Sequence, residues 1–79
     1  MNLGKLGDLP ILSINVEGEE QGHIQTVASY KEAYELIKAL KEDDKRNNIK
    51  DVYTLCLETE NGYYYGYTIR KYRRRYIVK

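Results

Sequence analysis

Residues 61–79 contain six cations and no acid: Arg70, Lys71, Arg73, Arg74, Arg75 and Lys79, interleaved with Tyr72 and Tyr76 and preceded by Tyr63, Tyr64, Tyr65 and Tyr67. Guanidinium groups pair with phosphate oxygens in a two-point geometry, and tyrosine rings offer flat faces on which bases stack. Together they make the chemistry of a polyanion-binding surface, and single-stranded nucleic acid is the polyanion that uses both features. The candidate binding residues are Tyr64, Arg70, Lys71, Tyr72, Arg73, Arg74, Arg75, Tyr76 and Lys79. An acidic protein surface is the other partner such a patch fits. The same run also has a plainer use, keeping an edge strand charged and unpaired.

The rest of the chain carries the opposite charge. Residues 1–60 hold seven Lys or Arg and all twelve Asp and Glu, so the formal net charge of +1 conceals a divided molecule. That division is a statement about partners and not about fold.

Other reactive side chains are isolated. His23 has no Cys, Asp or Ser placed beside it by spacing, and reads as a surface strand histidine. Cys56 is the single cysteine, which excludes an internal disulfide. With one His and one Cys a structural zinc site is not expected. Glu17, Glu19 and Glu20 sit in a turn without the ligand spacing of a calcium loop. No nucleophile–base pair, metal set or phosphate-cradling loop is present, so neither an enzyme nor a cofactor is expected.

The two stretches Asp51–Leu55 and Gly62–Thr68, the second reading Gly-Tyr-Tyr-Tyr-Gly-Tyr-Thr, resemble the two-strand signature of the GIY-YIG nucleases. The resemblance implies phosphodiester cleavage, with Tyr53 and Tyr65 as the motif tyrosines and Arg73 or Arg74 as the arginine. That family also uses a later metal-binding glutamate, and no acid follows Glu60 in this sequence. Without that carboxylate the metal has no anchor, and the non-enzymatic expectation stands. The same glycine–aromatic run differs in residue order from the RNP1 strand of RNA-recognition motifs.

The elements that must position the basic end follow from pattern. Residues 52–78 form two runs of β-branched and aromatic residues around Asn61-Gly62, the strongest short hairpin signal a sequence offers. A three-residue loop Glu60-Asn61-Gly62, with Gly62 in the left-handed region, pairs Leu57 with Tyr65, Leu55 with Tyr67 and Tyr53 with Ile69. It turns Tyr53, Leu55, Leu57, Tyr63, Tyr65, Tyr67 and Ile69 to one face, and Cys56 and Tyr64 to the other. With no Gly, Pro, Asn or Asp between Tyr67 and Lys79, a tight turn is unsignalled there, and a short final strand follows a turn around Arg70–Arg73.

Upstream, Ser29 and Glu32 make a capping box opening an amphipathic helix from Tyr30 to about Lys45. Ala33, Ile37 and Leu40 form its apolar stripe. Asn47 and Asn48 are its C-terminal caps, and Asp43 and Asp44 oppose the dipole, which predicts fraying after Glu42. Before the helix, residues 11–16 and 23–27 read as a first hairpin around a polar turn. Residues 1–9 read as a loosely ordered arm.

The order predicts a single α+β domain over 1–79: one antiparallel sheet of four to five strands in β-β-α-β-β-β order, with one helix packed on one face. Seventy-nine residues bury a thin core, and all nine aromatic residues are Tyr. No apolar run is long enough to span a membrane and no signal peptide is evident, so a reducing, cytoplasmic setting is expected. The functional expectation is a small intracellular module that binds nucleic acid. Its alternatives are a protein-interaction factor of the kind phages and mobile elements encode, and a homodimer formed through the C-terminal edge strand.

Overall fold

The computed structural model describes residues 10–79. The arm expected over 1–9 lies outside the described residues. The expected α+β order of strands around one helix is found with one strand more: β1 (Ser13–Gly18), β2 (Gly22–Val27), α1 (Tyr30–Arg46), β3 (Tyr53–Thr59), β4 (Gly62–Tyr67), β5 (Ile69–Tyr72) and β6 (Arg75–Val78). The first four strands make an antiparallel sheet in the order β2-β1-β3-β4. The last two form a two-stranded sheet of their own. The fold is α+β, with α1 packed against β1, β2, β5 and β6.

Alternation along the strands builds the core. Ile14 and Val16 of β1, Val27 of β2, and Tyr53, Leu55 and Leu57 of β3 meet Ala33 and Ile37 of the helix, and Val78 of β6 joins them. Val16, Leu55 and Leu57 are fully buried. At about 1.5–3 kcal/mol for each such side chain, these few residues supply a large part of the driving force of so small a fold.

The helix begins as the capping box requires. Ser29 Oγ accepts a hydrogen bond from the Glu32 amide at 3.2 Å, and the Glu32 carboxylate reaches back to the amide of Ala28 at 3.3 Å. The helix does not fray at Glu42. It continues to Arg46, whose guanidinium pairs with Asp43 at 3.1 Å, and Asn47 caps it by donating to the Asp43 carbonyl. Asn48 follows in the left-handed region at φ 57°, a conformation Asn tolerates better than most residues.

The β3–β4 hairpin departs from the expected register. Gly62 has the positive φ anticipated for it, 125°, but pairs with Thr59, so Glu60 and Asn61 alone form the turn. Thr59 Oγ1 holds that turn, accepting from the Asn61 amide at 3.1 Å and donating to the Gly62 carbonyl at 3.3 Å. Leu57 therefore lies opposite Tyr64 rather than Tyr65. The ladder then slips by one residue, and Leu55 pairs with Tyr67 as expected. Gly66, at φ 87°, sits in this slip. A glycine in the left-handed region is what lets a strand carry one extra residue as a bulge.

This slip inverts the tyrosines next to the turn. Tyr64 and Tyr67 pack against the core, while Tyr63 and Tyr65 are 56% and 66% exposed on the opposite face of the sheet. The expected pairing of Tyr53 with Ile69 is absent as well, because Ile69 belongs to the second sheet, where it pairs with Val78.

Candidate functional site

The basic segment folds as the β5–β6 hairpin, and strand alternation divides it into two faces. Ile69 pairs with Val78 and Lys71 with Tyr76 on one side; Arg70 pairs with Ile77 and Tyr72 with Arg75 on the other. The first side holds the hairpin to the body. Val78 is buried, Ile69 packs on the core, and the Tyr76 ring lies 5.5 Å from that of Tyr34 on α1. At the open end of the hairpin, Thr68 and Lys79 exchange backbone hydrogen bonds of 2.7 and 3.1 Å, extending the ladder by one pair.

The second side and the tip carry the charge. Arg70, Tyr72, Arg73, Arg74, Arg75 and Lys79 are all exposed, as is Lys71 at the margin of the first side. Arg73 and Arg74 make the turn, and Arg73 has φ 58°. This conformation costs a side-chain-bearing residue on the order of 1–2 kcal/mol, and hairpins usually place Gly or Asn in it. The Arg73 guanidinium carbon lies 5.3 Å from the centre of the Tyr72 ring, and Lys71 Nζ lies 5.8 Å from that of Tyr76. Tyr72, Arg73, Arg74 and Arg75 enclose a concavity of about 410 Å³.

Among the described residues one salt bridge forms, Arg46 with Asp43. No cation of the hairpin is paired with a carboxylate of the described residues. Five cations on nine consecutive residues (Arg70, Lys71, Arg73, Arg74 and Arg75 between Arg70 and Val78) thus stand together without internal neutralisation.

Two of the residues expected to bind turn inward. Tyr64 is half-buried against the core, and Tyr76 is half-buried between the hairpin and α1. Tyr63 and Tyr65, which the expected register turned to the same face as Leu55 and Leu57, are exposed on the opposite one, their ring centres 6.3 Å apart on the far face of the four-stranded sheet. The signal that identifies them is Gly66, the second glycine of the strand.

On that far face a chain of side-chain hydrogen bonds runs across three strands. His23 meets Thr26 Oγ1 at 3.2 Å, Thr26 donates to Asn15 Oδ1 at 2.6 Å, Asn15 donates to Ser13 Oγ at 3.2 Å, and Ser13 donates to Glu58 at 2.8 Å. Cys56 lies on this face but is buried. Burial, and then the nearby Glu17 carboxylate, push its thiol above the ordinary range, which is the reverse of an activated nucleophile. No group of three or more His, Cys, Asp or Glu among the described residues is arranged to hold a metal ion.

The two tyrosines that carry the nuclease resemblance are not brought together. Tyr65 is on the exposed face, whereas Tyr53 is buried on the core side with its hydroxyl donating to Asp44. Gln21 Nε2 donates to the same hydroxyl at 3.2 Å and to Asp51 Oδ2 at 3.1 Å. Asp51 Oδ1 accepts from the amides of Glu20 at 2.9 Å and Val52 at 2.8 Å. These bonds fasten the β1–β2 turn to the start of β3 and to the end of α1. They hold the Asp51 carboxyl below its usual range, the Glu20 amide contributing most. Burial, then the hydrogen bond to Asp44, raises the Tyr53 phenol to about 12.

The chain matches no protein-family model, no curated protein sequence and no solved structure. No helix among the described residues is long and apolar enough to cross a membrane.

Proposed function

We propose that the protein is a non-enzymatic binding module that engages single-stranded nucleic acid through the outer face and tip of the β5–β6 hairpin. The observation that carries this reading is the exposed set Arg70, Arg73, Arg74 and Arg75 around Tyr72, with no carboxylate of the described residues paired to any of them. Tyr72 is 57% exposed and offers a ring on which a base stacks. The four guanidinium groups supply phosphate contacts. Arg73, already lying over that ring, adds a cationic plane.

The test is fluorescence anisotropy of labelled single-stranded DNA, duplex DNA and RNA at about 50 and 200 mM salt, where release of condensed counterions is readily seen. Binding to single strands that weakens steeply with salt supports the reading. Replacing Arg73, Arg74 and Arg75 together with Gln lowers the slope of log affinity against log salt by about 2, from roughly 0.7 per phosphate contact on a single strand. Tyr72→Ala costs about 1–3 kcal/mol of binding. Salt-insensitive binding, or none at low salt, overturns it.

A second reading, a protein-interaction factor, is favoured by the exposed Tyr63–Tyr65 pair, since Tyr is enriched at the energetic centres of protein interfaces. It predicts a stoichiometric complex that survives nuclease treatment and is lost in Tyr63→Ala/Tyr65→Ala.

A further inference from the structure

Two cavities adjoin one another at the base of the hairpin, and Lys41 and Asp51 line both. The first, about 500 Å³, lies between α1, the start of β3 and β5; its walls include Ile37, Val52, Tyr53 and Ile69, with Lys41 and Arg70 at its sides. The second, about 380 Å³, continues past the end of the helix among Lys41, Lys45, Lys50 and Ile49. None of these four cations is in a salt bridge among the described residues. Two carboxylates are present, Asp44 and Asp51, but both are committed to the body of the protein: Asp44 accepts the Tyr53 hydroxyl, and Asp51 accepts two backbone amides and Gln21.

Arg70 belongs at once to the outer face of the hairpin and to the lining of this cleft. Arg70 thus stands between the Arg73–Arg74 tip and the cations Lys41, Lys45 and Lys50, which come from a helix and a loop distant from the hairpin in sequence. An apolar slot with a cation on either side is matched in charge and shape to a flat base carried between two phosphates.

We propose that a bound single strand runs off the hairpin into this cleft, placing a base against Ile37, Val52 and Ile69 with its flanking phosphates on Arg70 and Lys41, and continuing to Lys45 and Lys50. This rests on the nucleic-acid reading of the hairpin and defines the path of the strand beyond it. Site sizes of about 4–16 nucleotides are usual for small single-strand-binding folds, so a second stretch of contacts is detectable by oligonucleotide length.

The experiment compares labelled oligothymidylates of about 4 and about 12 nucleotides, lengths at the low end and in the upper part of that range. They are titrated against the wild type, a Lys41→Gln/Lys45→Gln/Lys50→Gln variant, and the Arg73/Arg74/Arg75→Gln variant. The three lysines are exposed, and far-UV circular dichroism checks the fold of their variant before titration. The path is supported if the lysine variant binds the short oligonucleotide as the wild type does, loses the extra affinity for the long one, and shows a salt slope lower by about 2. It is overturned, with the hairpin reading intact, if the lysine variant matches the wild type in both slope and length dependence while the arginine variant does not bind. If the wild type binds neither length at low salt, both proposals fall.

Discussion

The Tyr53 hydroxyl donates a hydrogen bond to the Asp44 carboxylate, joining the first residue of β3 to the last turn of α1. Gln21 from the β1–β2 turn donates to the same oxygen, so three separate segments meet at one phenol. Tyr53→Phe keeps the ring in the core and removes that junction. It is expected to lower stability by about 1–2 kcal/mol, as for loss of a hydrogen bond to a charged, partly solvated group, read from the urea midpoint at neutral pH. The phenol is raised to about 12, so the folded state favours its protonated form. Its contribution is complete below about pH 10, the unperturbed value, and is lost as pH climbs toward 12. A wild-type midpoint that falls over this window more than that of Tyr53→Phe is the expected result; parallel curves refute the linkage.

Asp51 gives the opposite dependence. Its carboxyl is held low by the Glu20 amide above all, so its stabilising effect is present above the ordinary carboxylate range and fades as pH falls through the lowered value. Acid titration of the unfolding midpoint should show a loss below about pH 4 that Asp51→Ala lacks. The neighbouring Gly18 sharpens this test. A methyl at that position would approach Asp51 Oδ2 to 2.6 Å, so Gly18→Ala should displace the carboxylate and flatten the same acid limb.

Arg73 occupies a backbone conformation unfavourable to a side chain at the tip of a hairpin. Arg73→Gly is expected to raise stability by about 1 kcal/mol, the relief of a left-handed residue being partly offset by the freedom of glycine in the unfolded chain. The same change removes a cation from the proposed interface and should weaken nucleic-acid binding. A midpoint that rises while affinity falls is the predicted pair of results. A stability loss would show that the Arg73 side chain holds the turn rather than straining it.

Cys56 lies under the exposed face of the sheet with its thiol raised by burial. A thiol reagent should label the folded protein only as fast as it opens, and label it at once in denaturant. Rapid stoichiometric labelling under native conditions would mean that the β3–β4 region opens far more readily than its packing implies.

Local signals made the helix and the two hairpin turns of the four-stranded sheet legible. Ser29, Glu32 and the Asn47-Asn48 pair act within a few residues of themselves, and the helix they delimit is the one found. The pairing of Leu57 with Tyr64 was not legible, because two glycines, Gly62 and Gly66, both have positive φ and nothing nearby dictates which absorbs the odd residue. A slip of one residue there exchanges the inner and outer tyrosines. The turn expected around Arg70–Arg73 lies at Arg73–Arg74, after a strand over Ile69–Tyr72, and its position was hidden for the converse reason: a residue type that avoids the left-handed region occupies it. The arginine cluster could be read from composition alone. The lysine cleft could not, because Lys41, Lys45 and Lys50 meet Arg70 only after α1 packs on β5.

The two faces of the β5–β6 hairpin are governed by different demands. Ile69, Tyr76 and Val78 fix where it sits, and each is answerable to the core or to α1. Arg70, Tyr72, Arg74 and Arg75 touch little of the body and are answerable only to whatever lies outside. Sequence change on the outer side therefore proceeds at small expense to folding, and under the proposed binding reading the fold can retune its partner by surface substitution alone. The hairpin is in this sense an interchangeable outer surface on a fixed mount.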